Sequence, residues 1–296
     1  MTPLPQARLS RNVRAMIGIF DSGHGGLTVL RALVERFPDQ GFVYFGDHAN
    51  APYGNRSSEE VVELTRQGVE RLYLAGCRLV VLGCNTATCV AARTLQQAWL
   101  PATPWAATHN VLGIAAPTVE AATQTPWGVT TPQYPQKYNS ELLAVFGTRR
   151  TIASDVYRVE ISKRCPRVRV FQQACPDLAG AIEADAPEPE LDRLVAAGVS
   201  ALISATNGQA PDRAILGCTH YPIVEHLFRR HLPAATRILS QPEIVADSLE
   251  DYLARHPRYV TPGLGLRLLT TGDPEAVTTA ARVFWREVPD FAPAPG

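Results

Sequence analysis

The stretches LVVLGCNTAT (79–88) and RAILGCTHYP (213–222) decide how this chain is read. Each is an apolar run of strand length that ends in Gly-Cys and passes at once into polar, helix-opening residues. Short apolar runs without alternation fit strands buried on both faces of a parallel sheet, and the polar residues that follow fit the turn into a crossover helix. Cys84 and Cys218 are thereby placed at the carboxyl end of a strand and the start of a helix, where free N–H groups and the helix dipole favour a thiolate. Two such thiols facing each other across a cleft can serve as acid and base on opposite sides of one carbon. That geometry suits inversion of a stereocentre.

Outward from these two turns, short apolar runs alternate with helix-period segments, which predicts βα units and a parallel sheet. Strands are expected at 16–20, 42–46, 79–83, 142–147, 168–172, 213–217 and 237–240. Helices are expected at 25–37, 57–75, 86–98, 151–164, 188–198, 222–232 and 243–255. The two halves echo each other: a strand, a DSG turn and a GCNT turn in one, a strand, a GT turn and a GCTH turn in the other. Ligands of open α/β sheets bind outside the carboxyl ends of the strands, so the four turns are expected to line one crevice. The Pro- and Thr-rich stretch 101–140 reads as a linker or flap.

Lys plus Arg number 28 and Asp plus Glu number 28, so no net charge draws the chain to nucleic acid or an acidic membrane. Residues 1–15 hold arginines but no apolar core, and no later stretch is long enough to span a bilayer. A soluble, cytoplasmic protein is expected. Six cysteines in 296 residues are too sparse for a disulfide framework, so reduced thiols are expected.

Asp21-Ser22-Gly23 follows the first strand, and Gly23, Gly25 and Gly26 allow backbone N–H groups to approach an anion. The loop lacks the Lys-Ser/Thr of a phosphate-binding loop and departs from the dinucleotide pattern, so a nucleotide is not expected. Ser57 and Glu60 form a capping box; ahead of them Tyr53-Gly54 reads as an exposed turn able to hold a small substrate. Cys84-Asn85-Thr86 and Cys218-Thr219-His220 each offer a thiol, backbone N–H groups and side-chain donors suited to a carboxylate. Asp21 and His220 are the candidate partners of the two thiols. Cys84 and Cys89 are spaced C-x4-C, but the fifth residue of a helix faces another way, so no shared metal ion is expected. Glu183 ends a short helix in the second half.

Taken together, IGIFDSGHGGLTVLR, YFGDHANAPYGNRS, GCNTAT, ACPDLAGAIE and ILGCTHYP resemble, in order, the motif series of the glutamate racemases within the aspartate/glutamate racemase superfamily. The resemblance implies an α/β fold of two pseudo-symmetric three-layer domains with mostly parallel sheets and an interdomain active-site cleft. It assigns 15–116 plus 223–285 to the first domain and 117–222 to the second, with an atypical insertion at 123–140. It implies racemisation without pyridoxal phosphate, metal or nucleotide, with D-glutamate destined for peptidoglycan. The catalytic thiols fall on Cys84 and Cys218, substrate anchors on Asp21, Ser22, Tyr53, Gly54, Asn85, Thr86, Thr219 and His220. A threonine turn falls on Thr148 and Thr151, and an assisting acid on Glu183. His24 departs from the family, which usually has a small apolar residue there, and Ala116-Pro117 replaces a Glu-Pro. L- and D-glutamate are the expected ligands, and a homodimer is left open. Two other classes remain: a hydrolase or decarboxylase using one cysteine, and a binding protein without turnover. Aspartate or another acid is the alternative racemase substrate.

Overall fold

The computed structural model describes residues 16–263 and 265–295. The arginine-bearing start of the chain, with the expected domain edge at 15, lies outside them. Among the described residues ten strands form two sheets, and every pair of these strands is parallel. The first sheet is built on β1 (Met16–Asp21), flanked by β2 (Phe42–Gly46) and β3 (Cys77–Leu82), with β4 (Asn110–Gly113) beyond β3. The second is built on β5 (Leu142–Gly147), flanked by β6 (Arg169–Ala174) and β7 (Arg213–Gly217), with β8 (Arg237–Leu239) beyond β7. The spatial orders β2-β1-β3-β4 and β6-β5-β7-β8 are the same order repeated, which is the echo of the two halves in three dimensions. β9 (Leu266–Thr270) and β10 (Phe291–Pro293) extend the first sheet past β2.

The central strands MIGIFD and LLAVFG are buried at every residue, because helices cover both faces of each sheet. Among these helices, α1 (Leu27–Arg36) follows β1, α2 (Ser58–Leu74) follows β2 and α3 (Asn85–Thr94) follows β3. α2 opens with the expected capping box: Ser57 Oγ accepts from Glu60 N at 3.2 Å, and Glu60 Oε2 accepts from Ser57 N at 2.9 Å.

Three expectations are corrected. The stretch 101–140 is not a linker throughout, since it holds β4 and α4 (Ala115–Thr123), the latter leading from the first sheet to the second. The second sheet runs past the expected domain edge at 222, because β8 pairs with β7 and carries it to Leu239. The helix expected at 151–164 is two, α5 (Arg149–Ala153) and α6 (Val156–Arg164), broken where Asp155 takes a left-handed φ of 61°. The chain rejoins the first half through α10 (Gln241–Arg255), which packs on α1 and α4. There Arg36 reaches Asp247 at 2.7 Å and Glu250 at 2.9 Å.

The irregular part of the 123–140 insertion lies on the outside of the second half, held by two buried arginines. Arg164 donates to the Trp127 carbonyl and stacks its guanidinium 4.7 Å from the Trp127 ring centre. Arg213 stands 3.7 Å from the centre of the Tyr138 ring. Both contacts are cation–π attractions, and ion pairs from Arg164 to Glu160 at 2.9 Å and from Arg213 to Glu141 at 2.8 Å offset the burial of the two charges.

Candidate active site

The carboxyl ends of β1, β3 and β7 bring Asp21, Cys84 and Cys218 together. Cys84 is the residue that caps α3: its Sγ accepts from Ala87 N at 3.4 Å, and Ser22 Oγ stands 3.4 Å from the same sulfur. Despite the helix start, burial pushes the Cys84 thiol up to about 12, with the Asp21 carboxylate and the Cys218 sulfur adding to the effect. The expected dipole-favoured thiolate is therefore overridden at this position. The influence of the Cys218 sulfur on Cys84 places the two in one electrostatic field. Both are nearly covered, at 6% and 5% exposure.

Asp21 is buried; its Oδ1 accepts from Gly23 N at 2.8 Å, while Oδ2 has no hydrogen-bond partner. Desolvation lifts its carboxyl to about 6, against the pull of His220. A carboxyl with one free oxygen and a proton affinity near neutral is suited to proton exchange with a neighbouring thiol. The shift carries a stability signature. A carboxyl raised in the folded state favours folding below its unfolded value and loses that contribution as pH rises through about 6. Asp21→Asn should therefore gain stability relative to wild type by about 2 kcal/mol between about pH 4.5 and about pH 7.5, read from denaturant midpoints. A pH-independent difference would contradict this.

Cys218 does not open an α-helix; it precedes a single 3-10 turn, Tyr221–Val224, and α9 (Glu225–His231) follows. Its partner is His220, whose Nδ1 lies 3.7 Å from the sulfur. His220 is held well above its ordinary pKa: desolvation opposes this but is outweighed by Cys218 and Glu183. Glu183, the last residue of α7 (Leu178–Glu183), faces His220 Nε2 with Oε2 at 3.2 Å. Desolvation penalises its charge, yet hydrogen bonds from His220 and His24 hold its carboxyl well below the usual range. The two sulfurs thus have different partners, a carboxyl beside Cys84 and an imidazole–carboxylate pair beside Cys218.

The threonines meet between the halves. Thr86 Oγ1 lies 3.0 Å from Thr148 Oγ1 and 3.3 Å from Thr151 Oγ1. Gly54 comes so near Thr148 that a Cβ on it would be 3.2 Å from Thr148 Cβ. Tyr53 is not exposed, as the turn reading had it: it is buried, and its hydroxyl donates to Asp47 Oδ2 at 2.6 Å. Only the main chain of this turn remains for a ligand. Asn85 is likewise committed, donating to Gln241 Oε1 at 2.5 Å and accepting from Tyr157 OH at 2.6 Å. Gln241 in turn donates to Thr118 Oγ1 at 2.8 Å. This buried knot joins α3, α4, α6 and α10 beside the Cys84 turn. Thr219 is buried, and its carbonyl accepts from Thr28 Oγ1 at 2.9 Å.

Sequence reasoning missed Gln241 and Tyr157, and marked His24 only as a departure from the family without giving it a role. None of the three carried a local signal for these contacts, which reach residues far along the chain. All six cysteines are free. Cys89 lies beside Ser154 rather than in the cluster of thiols.

The Asp/Glu/Hydantoin racemase family model matches residues 17–247, a span that includes every one of these turns. The chain belongs to this family. Among curated relatives, the glutamate racemase of Phenylobacterium zucineum is 52% identical over 282 residues, covering 94% of this chain and 99% of that protein. The glutamate racemase of a Caulobacter strain is 51% identical, covering 91% and 96%. A glutamate racemase isoform of Bacillus anthracis superposes with a TM-score of 0.80 at 27% identity, covering 96% of this chain and 98% of that one. Identity of this extent places the chain among the glutamate racemases of the Asp/Glu/hydantoin racemase family, which are isomerases with two α/β domains.

Proposed function

We propose that this chain interconverts L- and D-glutamate by moving the α-proton between Cys218 and Cys84, in a cleft between two α/β domains divided near the β4–β5 and β8–β9 connections. The observation that carries the mechanism is the equivalence of the two cysteines: each follows the third strand of a repeated β2-β1-β3-β4 order, and each has its own proton-holding partner. In the resting site Cys84 keeps its proton, and Cys218 beside the cationic His220 is the base. The α C–H bond breaks as the Cys218 S–H bond forms, and the electron pair stays on the α-carbon next to its carboxylate. The Cys84 thiol then gives its proton to the opposite face. Turnover in this direction leaves the thiolate on Cys84, where the carboxyl of Asp21 stands by; turnover in the other direction restores the start.

The carbanion needs stabilising without an electron sink, so the dipoles around it carry that load. Ser22, Thr86, Thr148, Thr151 and Thr219, with main-chain N–H groups of Gly54 and Asn85, are the proposed anchors for the two substrate carboxylates. The side chains of Tyr53 and Asn85 act as supports instead, because their polar atoms are occupied. With both sulfurs nearly covered, the halves part for substrate to reach them and close again to exclude water. Among the described residues no helix is long and apolar enough to cross a membrane, and we place the enzyme in the cytoplasm with its D-glutamate feeding peptidoglycan assembly.

The test is incubation of the protein with each enantiomer of glutamate in D2O, following optical rotation and α-deuterium together. Rotation decaying to zero from both sides, with deuterium entering the α-position, is the expected result. Exchange with aspartate and none with glutamate would keep the chemistry and replace the substrate, and no exchange with any acid would overturn the proposal.

A further inference from the structure

Glu183 has two partners, and the tighter is outside the catalytic turn. Its Oε1 lies 2.5 Å from His24 Nδ1, against 3.2 Å from Oε2 to His220 Nε2. His24 is 5% exposed, and its other nitrogen, Nε2, lies 3.0 Å from the carbonyl of Val277 in α11 (Pro274–Ala281). A carbonyl only accepts, so Nε2 carries a hydrogen. Nδ1, facing a carboxylate oxygen, then shares a further proton with it, which makes this a charge-assisted bond. The ring cannot turn away easily. It stacks on Phe284 with centroids 5.8 Å apart and planes 12° apart, and meets Phe291 edge-on at 6.4 Å.

Glu183 itself is the loose member. Its side chain is 29% exposed and borders an open cavity of about 660 Å³ that Asp185, Asp273 and Glu275 also line. Gly23 leaves the space its carboxylate occupies, since a Cβ there would come 3.1 Å from Oε1. A carboxylate with water on one side and room to turn keeps one orientation only if something fixes it.

We infer that His24 is a positioning residue for proton transfer at Cys218: it anchors Glu183 so that the second carboxylate oxygen faces His220, and His220 in turn keeps Nδ1 towards the sulfur. This rests on the reading of Cys218 as one of the two bases. His24 touches neither sulfur, so its effect passes through Glu183.

Two substitutions separate this role from a merely structural one. Asparagine places an amide N–H near the position of Nδ1 and nothing near Nε2; glutamine does the reverse. His24→Gln, which keeps the bond to Val277 and loses the one to Glu183, should lower kcat roughly tenfold or more, with KM within about twofold. His24→Asn should retain kcat within about threefold. If His24 only fastens α11, the order of the two variants reverses. On a Glu183→Gln background, His24→Gln should add no more than about twofold, because the two act as a unit. Ring-¹⁵N spectra of histidine-labelled protein give a readout that needs no turnover: the His220 resonances should move in His24→Gln and stay in His24→Asn. Wild-type kcat in His24→Gln, additive losses with Glu183→Gln, or unmoved His220 resonances would each overturn the inference. An inactive wild type would instead sink the racemase reading, while the nitrogen spectra would still decide the role of His24.

Discussion

Cys84→Ser and Cys218→Ser are each expected to lose racemisation by about 10³-fold or more while folding normally. A hydroxyl is nearly the size of a thiol but holds its proton far more tightly, so it neither ionises to the base that takes the α-proton nor readily gives a proton to the opposite face. The two losses should not multiply. Proton removal on one face and delivery on the other are halves of one event, so the double variant should be about as slow as either single one. Kinetics with both enantiomers check this, with thermal unfolding to show that the fold is kept. A single-cysteine hydrolase or decarboxylase gives a different pattern: loss of one sulfur abolishes activity and loss of the other leaves it. Either variant turning over at near the wild-type rate would end the two-base mechanism.

Much of the frame was legible because its signals are local. β2, β5 and β7 have the bounds that their apolar runs define, and β1 differs by one residue. Strands β4, β9 and β10 were missed for physical reasons: NVLG has four residues and is only half-buried, LRLLT carries an exposed arginine, and FAP is three residues ending in proline. The site followed the same division. Cys84, Cys218, Asp21 and His220 announce themselves because each sits at the carboxyl end of a strand or in the turn directly after it, where the fold fixes position without knowledge of the packing. The burial of Tyr53 between the Phe20 ring at 6.2 Å and the Asp47 carboxylate was not legible, because a Pro-Tyr-Gly turn has the same sequence whether it faces water or a partner. Nor was the high proton affinity of Cys84, where burial beats the helix start; dipole arguments are local, and desolvation depends on the whole enclosure.

Gly25 shows what the glycine-rich loop does in this molecule. Read alone, the loop suggests a cradle for an anion, but Gly23 and Gly25 serve an approach between the two halves, while Gly26 makes room for Asp21 of its own half. A Cβ on Gly25 would lie 2.4 Å from His220 Nδ1, 2.6 Å from His220 Cε1 and 2.6 Å from Thr219 Oγ1. None of these atoms can retreat cheaply, because His220 is buried between Cys218 and Glu183 and Thr219 is covered as well. Gly25→Ala should therefore displace His220 from the sulfur or hold the halves apart. A shift of about 1 Å in a catalytic group costs on the order of 10²-fold in rate, and overpacking of this kind costs about 1–3 kcal/mol of stability. The expected result is a kcat reduced about 10²-fold in a protein that still unfolds cooperatively at a lower temperature. Gly180 supplies the control. It lies inside α7, a Cβ there would meet nothing within 4 Å, and its φ is not in the left-handed region. Gly180→Ala should thus raise stability by about 0.5–1 kcal/mol with kcat unchanged. Opposite signs at these two glycines, measured by the same thermal and kinetic assays, would locate the close approach of the halves at Gly25. Wild-type kcat in Gly25→Ala would mean that His220 acts from a position other than the one it holds here.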